Sequence, residues 1–527
     1  MINALSLTRP NGVVGPTQHY RQHRSRFTSL TFEFTTARFG FLSVMSLPAV
    51  NGLLTTENES HRYAKTPHLW ALGVGTVIGG EFYGWQSSLI AGFDGLLIIL
   101  VFVTILYTLL TFSIAEMSAS IPSGGGPYVF SLHGIGPKAA YFAGLAETIK
   151  VIATVATTFY SIFLYLDALF GLDSSYGPLW WIGFNVIFIT LNIMGVEATF
   201  RVQVFATLLS TAMLVIFYVG AFTKLDYTAW VVDQNWEWTT WSDSIQGISF
   251  ALWFYFGIEE LPLAVDETIE PEKNIPRGII WSMVTLVILA ILTLVCNSLI
   301  YPGAAVIFTS TAPLVEGYKS VFGDNGTTAG FMWLTVIGLI SSTHSFVYCM
   351  SRLLYAIACD GYLPQFLTKV HPTRGSAYAA LISGGIVNQI LAIILFYIVG
   401  IVDLGGVLIN LALLGALISY SFQLISFILL RINQPNRPRP YRSPFGIAGA
   451  VVCLILCLLC FAAIIYSGTS SDNFLIAVIT AVIMFAIGTA YYFKAVLPRL
   501  NSEKLNQISP RPSKSMRQNL ISIQSNV

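Results

Sequence analysis

The sequence predicts an all-α, polytopic membrane protein with about twelve transmembrane helices. Of its 527 residues 55% are hydrophobic and only 10% are charged, against about 25% charged in ordinary soluble chains. The mean hydropathy is +0.70, and the apolar residues gather into runs of the roughly 20 residues that cross a bilayer. Charge this sparse cannot cover the surface of a soluble protein of this length.

In chain order, the predicted spans are 69–91, 95–119, 137–168, 178–196, 201–223, 244–264, 278–301, 328–357, 377–400, 405–429, 446–467 and 474–496. Spans one to five (67–223) and six to ten (243–429) read as two halves, with two further helices in 446–496. Residues 1–66 form a polar N-terminal tail, read either as cytoplasmic or as an Arg-rich organelle targeting sequence. A second polar tail covers 497–527, and the Pro-rich basic stretch from Arg431 to Gly446 reads as a solvated linker.

Among the 27 Lys and Arg, Lys224 and Lys319 fall in loops on one side and Lys150 lies within a span. The others sit in the tails, the opposite loops or their borders, which places both termini in the cytoplasm. The "NGT" sequon at Asn325 is then expected outside. A net charge of +1 points to no nucleic-acid partner. All six cysteines lie in or beside spans and read as buried apolar residues rather than disulfides. No metal-ligand cluster and no nucleophile–base pair stands out, so neither a cofactor nor an enzyme is expected.

Among the ionisable residues within spans are Glu81, Glu116, Glu147, Lys150, Glu259, Glu260 and His344. Each is costly in hydrocarbon and should face a partner or a wet cavity. Glu81 follows Gly79-Gly80 inside span one. Unwinding there would free backbone groups that lipid cannot satisfy, so the break should line a cavity. Its N–H groups would attract an anion and its carbonyls a cation. The glycines alone could instead permit close helix packing. The second expected break is Gly257 in "WFYFGIEE", among aromatic residues able to close over a small ligand. Broken helices at matching places in two halves point to a transporter site near the midplane.

Six segments carry a specific likeness: "VIGGEFYG" (77–84), "IPSGGGPYVF" (121–130), "NIMGVEATFRVQ" (192–203), "DETIEPEKNIPRGI" (266–279), "SRLLYAIACDGYLP" (351–364) and "RPRPYRSP" (437–444). Together they resemble the amino acid–polyamine–organocation superfamily of transporters, and "GEFYGW" with "ALWFYFGIEELPLAVDE" resembles its ethanolamine-permease branch. The resemblance implies a leucine-transporter-like fold of five-plus-five inverted repeats plus two helices. It also implies alternating-access transport of an amino acid or small amine, in the plasma membrane. Two positions depart from the family: Glu81 replaces the third glycine of the first-span motif, and Cys359 stands where a basic residue often precedes Asp-Gly.

By the same resemblance, substrate would bind at Val77, Ile78, Gly79, Gly80, Glu81, Trp253, Phe254, Gly257 and Ile258. Trp253, Gly257 and Glu259 fit a Trp-x-x-x-Gly-x-Glu pattern in which they act as lid, break and proton-sensitive carboxylate. Phe346 falls at the position of a span-eight gate. Glu81 either borders the site, repelling a substrate carboxylate unless protonated, or points away and pairs elsewhere. Glu259 and Glu81 are the candidates for proton coupling, which the carboxylates favour over sodium. Ser341, Ser342 and Thr343 read as hydroxyls bonding back to their own helix rather than as sodium ligands. Glu147 and Lys150, one turn apart, read as an internal ion pair. Glu116 and His344 read as structural. The competing functions are a non-transporting receptor for amino acids and a polyamine or amino acid exchanger.

Overall fold

The computed structural model describes residues 62–324, 326–468 and 472–500. Asn325, the tails 1–61 and 501–527, and the targeting question therefore lie outside the described residues. The described chain is helical, and its only strand pairing is an isolated bridge between Ala64 and Thr268.

Nine helices among the described residues are long and apolar enough to cross a bilayer. That count takes Tyr378–Asn433 as one and omits spans one and six, which are broken into shorter pieces. Resolving these restores the expected twelve. Span two is Phe93–Ser120, span three Pro137–Phe170, span four Gly177–Ile193 and span five Val196–Ala221. Span seven is Pro271–Ser298, span eight Gly326–Cys359, span eleven Gly446–Gly468 and span twelve Asp472–Tyr491.

Two local expectations need correction. No loop separates spans nine and ten at 401–404. They meet at Gly400, whose φ of 76° is a conformation that favours glycine. Three short helices also went unforeseen: Pro127–Gly134 after span two, and Ala304–Thr309 and Pro313–Phe322 between spans seven and eight. Each is too short to span, so span-length hydropathy does not register it.

Span three is the centre of the bundle, with 94% of its most apolar stretch buried, whereas the last span buries 17% and lies at the edge. Around the outside, Ile98, Val101, Val186, Val219, Tyr397 and Val402 are exposed. Lipid solvates such a surface, whereas contiguous apolar patches of this kind are rare on soluble monomers. Inside, small residues bring backbones together. A Cβ on Gly415 of span ten would lie 2.8 Å from the Ala146 carbonyl and 2.9 Å from the Lys150 nitrogen of span three.

Where the chain enters span one, backbone bonds clasp it to the loop after span six. The Tyr63 and Ala64 amides donate to the Glu267 carbonyl at 2.8 and 2.9 Å, and the Ile269 amide donates to the Ala64 carbonyl at 2.9 Å. The Glu267 side chain pairs with Arg352 and accepts from the Tyr348 hydroxyl at 2.8 Å. Burial pushes the Glu267 carboxyl up, against the opposing pull of Arg352.

Candidate functional site

The first break is not at the glycine pair. Span one runs as Thr66–Val77 and Gly79–Phe82, and Ile78 between them keeps right-handed helical angles. The Glu81 amide bonds the Ile78 carbonyl at 3.0 Å, a tightened turn rather than an unwound one. The chain leaves the helix at Tyr83 (φ −152°, ψ 143°) and Gly84 (φ 103°), then continues as the 3-10 segment Trp85–Ala91. Protein groups satisfy what this break frees: the Gly84 amide donates to the Gln86 side chain at 2.7 Å, and the Tyr165 hydroxyl donates to the Phe82 carbonyl. The Gly84 amide is therefore occupied.

Gly79 and Gly80 serve contact instead. A Cβ on Gly79 would meet Ser342 of span eight at 2.7 Å, and one on Gly80 would collide with the Trp253 carbonyl. Ser342 in turn donates to the Thr76 carbonyl at 2.6 Å.

The second break falls where the sequence places it. Span six runs Trp241–Ala251, tightens through Leu252–Phe254, turns at Tyr255–Gly257 and resumes as the 3-10 segment Ile258–Ala264. Gly257 has φ 106°, and a Cβ there would lie 2.6 Å from the Phe346 ring. The two breaks touch: a Cβ on Gly84 would lie 2.5 Å from the Trp253 indole. Aromatic rings fill the junction. Trp253 stacks on Phe256 with centroids 4.6 Å apart, Phe256 lies 6.4 Å from Phe346, and Phe254 stacks on Trp85 at 5.5 Å. Trp253 is 6% exposed, and Val77, Ile78, Glu81, Phe254, Ile258, Glu259 and Phe346 are buried at least as deeply. The junction is closed to both sides.

Each break carries buried carboxylate, in contrasting company. Neither oxygen of Glu81 receives a well-aligned hydrogen bond. The Thr293 hydroxyl faces it and also meets the Tyr218 hydroxyl at 2.6 Å, a contact in which either oxygen can donate. Lys150 of span three sits instead among three carboxylates, with its Nζ 2.6 Å from Glu147, 2.7 Å from Glu259 and 2.7 Å from Glu260. Glu259 also accepts from the Tyr420 hydroxyl and, at 3.1 Å, from the Gly257 amide. The expected Glu147–Lys150 pair is present, but it belongs to this larger cluster. Sequence reasoning missed that link, and it missed Tyr420 and Tyr165, while Phe256 stood in the aromatic run it had read beside the break. Only the apolar surroundings of Lys150 hinted at a remote partner.

The remaining residues divide. Thr343 bonds back to Leu339 at 2.7 Å as expected, whereas Ser341 accepts from Gln203 of span five at 2.9 Å and Ser342 reaches span one. His344 lies 3.3 Å from both Asn192 and the Thr199 carbonyl, a hydrogen-bonded interior residue. Glu116 is held by Arg431, Arg439 and the Ser443 amide, a structural tie between spans two and ten and the following loop. Cys359 is exposed at the end of span eight.

Residues 65–487 match the family described as amino acid permease. An uncharacterized transporter of Rhizobium meliloti is 28% identical, with 75% of this chain and 85% of the relative covered. The methylthioribose transporter of Bacillus subtilis is 25% identical over 84% of this chain and 95% of its own length. The branched-chain amino acid permease BcaP of the same organism is 23% identical, over 83% and 93%. Among solved structures, a Na+-coupled sialic acid symporter aligns with a TM-score of 0.48 and 16% identity, covering 77% of this chain and 90% of its own. With a family match over most of its length and helices built to cross a bilayer, the chain belongs to the amino acid permease family of multi-pass membrane transporters and is not an enzyme.

Proposed function

We propose that this transporter carries small primary amines of the ethanolamine type in preference to zwitterionic amino acids, by alternating access and with proton coupling. The observation that carries the reading is Glu81, a carboxylate fully buried beside the first break with no cation near it among the described residues and only a hydroxyl, that of Thr293, facing it. Such a group must meet a cation or hold a proton. A substrate ammonium supplies the cation, whereas a substrate carboxylate in the same low-dielectric space would be repelled. Gly79, Gly80, Val77 and Ile78 on one side, with Trp253, Phe254, Gly257 and Ile258 on the other, form the pocket. Trp253 is the lid and Phe346 the gate. One helix bundle rocks against a scaffold about the two broken spans, one and six, with both tails cytoplasmic and the plasma membrane as the site of action. Carboxylates beside both breaks, Glu81 and Glu259 among them, favour protons over sodium as the coupling ion.

Uptake of labelled ethanolamine into proteoliposomes of the full chain tests this, with leucine, lysine and putrescine as competitors. Saturable ethanolamine uptake that leucine fails to displace supports the reading. Leucine uptake that ethanolamine cannot displace overturns it.

A further inference from the structure

We propose that Lys150, Glu147, Glu259 and Glu260 form the proton-binding centre of the transporter, in which Glu260 gains and loses the proton and Lys150 relays the change to the Trp253 lid. The inference rests on the proton-coupled reading above and replaces Glu259, the carboxylate implied by family resemblance, with its neighbour.

Charge balance comes first. One ammonium faces three carboxylates, all at 0–1% side-chain exposure. With every group ionised the cluster carries a net −2, and buried charge of that size needs compensation. The other groups facing it bring none. They are the Tyr420 phenol of span ten, the Tyr107 phenol of span two lying 3.3 Å from it, and the Cys349 thiol of span eight. A metal ion would have to occupy the space between the carboxylates that the Lys150 ammonium already fills. A proton needs no space.

Hydrogen bonding then selects the carboxylate. Glu259 accepts from Lys150, Tyr420 and the Gly257 amide, so its negative charge is well held. Glu147 accepts from Lys150 at 2.6 Å through one oxygen. Glu260 touches Lys150 at 2.7 Å but receives no well-aligned hydrogen bond on either oxygen. It is the least compensated of the three. A proton arriving from water forms an O–H bond on Glu260 and breaks only the Lys150–Glu260 ion contact. Lys150 keeps Glu147 and Glu259, and the net charge falls to −1.

The relay is a stack. The Lys150 ammonium lies 5.7 Å from the Phe256 ring centroid, and that ring stacks on Trp253 at 4.6 Å. Releasing Lys150 from Glu260 alters its contact with the Phe256 face, and Phe256 carries Trp253 with it.

Infrared difference spectroscopy of the full chain in lipid nanodiscs, on a pH step, tests the assignment without a substrate. With Glu81→Gln as background to remove the buried carboxylate of the first break, a pH-dependent protonated-carboxyl C=O band should vanish in Glu260→Gln. It should persist in Glu259→Gln and Glu147→Gln. Should Glu260→Gln fail to fold, Glu260→Asp should shift the pH midpoint of the band. A band unmoved by either Glu260 variant overturns the proposal, as does its loss in Glu259→Gln alone. Ethanolamine accumulation in proteoliposomes separates the two levels. Wild-type accumulation indifferent to a pH gradient overturns proton coupling itself, whereas gradient-driven accumulation that survives Glu260→Gln overturns only the role of Glu260.

Discussion

The two interrupted spans solve one problem in opposite ways. Each breaks at a glycine with strongly positive φ, 103° at Gly84 and 106° at Gly257, and each keeps carboxylate close by. Beside the first break Glu81 stands without a cation, and beside the second Glu259 and Glu260 are tied through Lys150 to span three. A buried charge without a cation is costly, whereas a paired one belongs to the frame. The first break thus leaves its carboxylate without a cation and the second ties its carboxylates into the bundle.

Removing the held charge should have the largest effect. Lys150→Met leaves Glu147, Glu259 and Glu260 without their cation, and breaking a buried pair costs about 3–5 kcal/mol. Thermal unfolding of the purified protein should show a marked loss of stability. Glu81→Gln, by contrast, removes an unpartnered charge and should leave the melting temperature unchanged or raised. Equal losses in both variants would erase the distinction between the breaks.

The same Glu81→Gln variant should next show its effect on substrate. A hydrogen bond to a charged group contributes about 1.5–3 kcal/mol, so apparent ethanolamine affinity should fall roughly 10- to 150-fold. Discrimination against leucine should fall with it. Unchanged affinity and selectivity, measured by competition uptake, would place Glu81 outside the pocket.

How much of this was legible in the sequence follows from the range of each interaction. The spans were legible because lipid demands long apolar runs whatever their partners. Gly257 was legible as a break because its neighbours, aromatics and glutamates, suit a helix interior poorly. The glycine pair misled because small residues serve two purposes: Gly79 and Gly80 let Ser342 and Trp253 approach, and the unwinding falls to Gly84. The Lys150–Glu259 link joins residues 109 apart in sequence, and no local pattern announces it. The junction at Gly400 was legible as the end of span nine, whereas the absence of a loop after it was not, because helix continues on both sides of the kink.

Glycine variants compare the breaks directly at intermediate magnitude. Ala at Gly84 or Gly257 would hold a side chain in a sparsely populated backbone region, at about 1–3 kcal/mol each. A new Cβ would also press Trp253 in one case and Phe346 in the other. Both variants should lower thermal stability by similar amounts. A loss confined to Gly257→Ala would show that Tyr83–Gly84 can relax and that only the sixth span needs its break.

The smallest expected effect falls on the residue that joins the two regions. The Trp253 carbonyl packs on Gly80, its indole packs on Gly84, and the indole also stacks on Phe256, above which Lys150 sits. Trp253→Ala removes a ring able to cover an ammonium, a contact of about 0.5–2 kcal/mol, so ethanolamine affinity should fall roughly 2- to 30-fold. Trp253→Phe keeps a ring to stack on Phe256 but shortens the reach toward Gly84, so it separates cover from relay. With relay intact and cover reduced, Trp253→Phe should lose affinity while its uptake keeps the wild-type dependence on a pH gradient. Trp253→Ala should lose both. If Trp253→Phe lost the gradient dependence but kept its affinity, the indole would act through the first break alone, and the path from Lys150 to the lid would have to run through another residue.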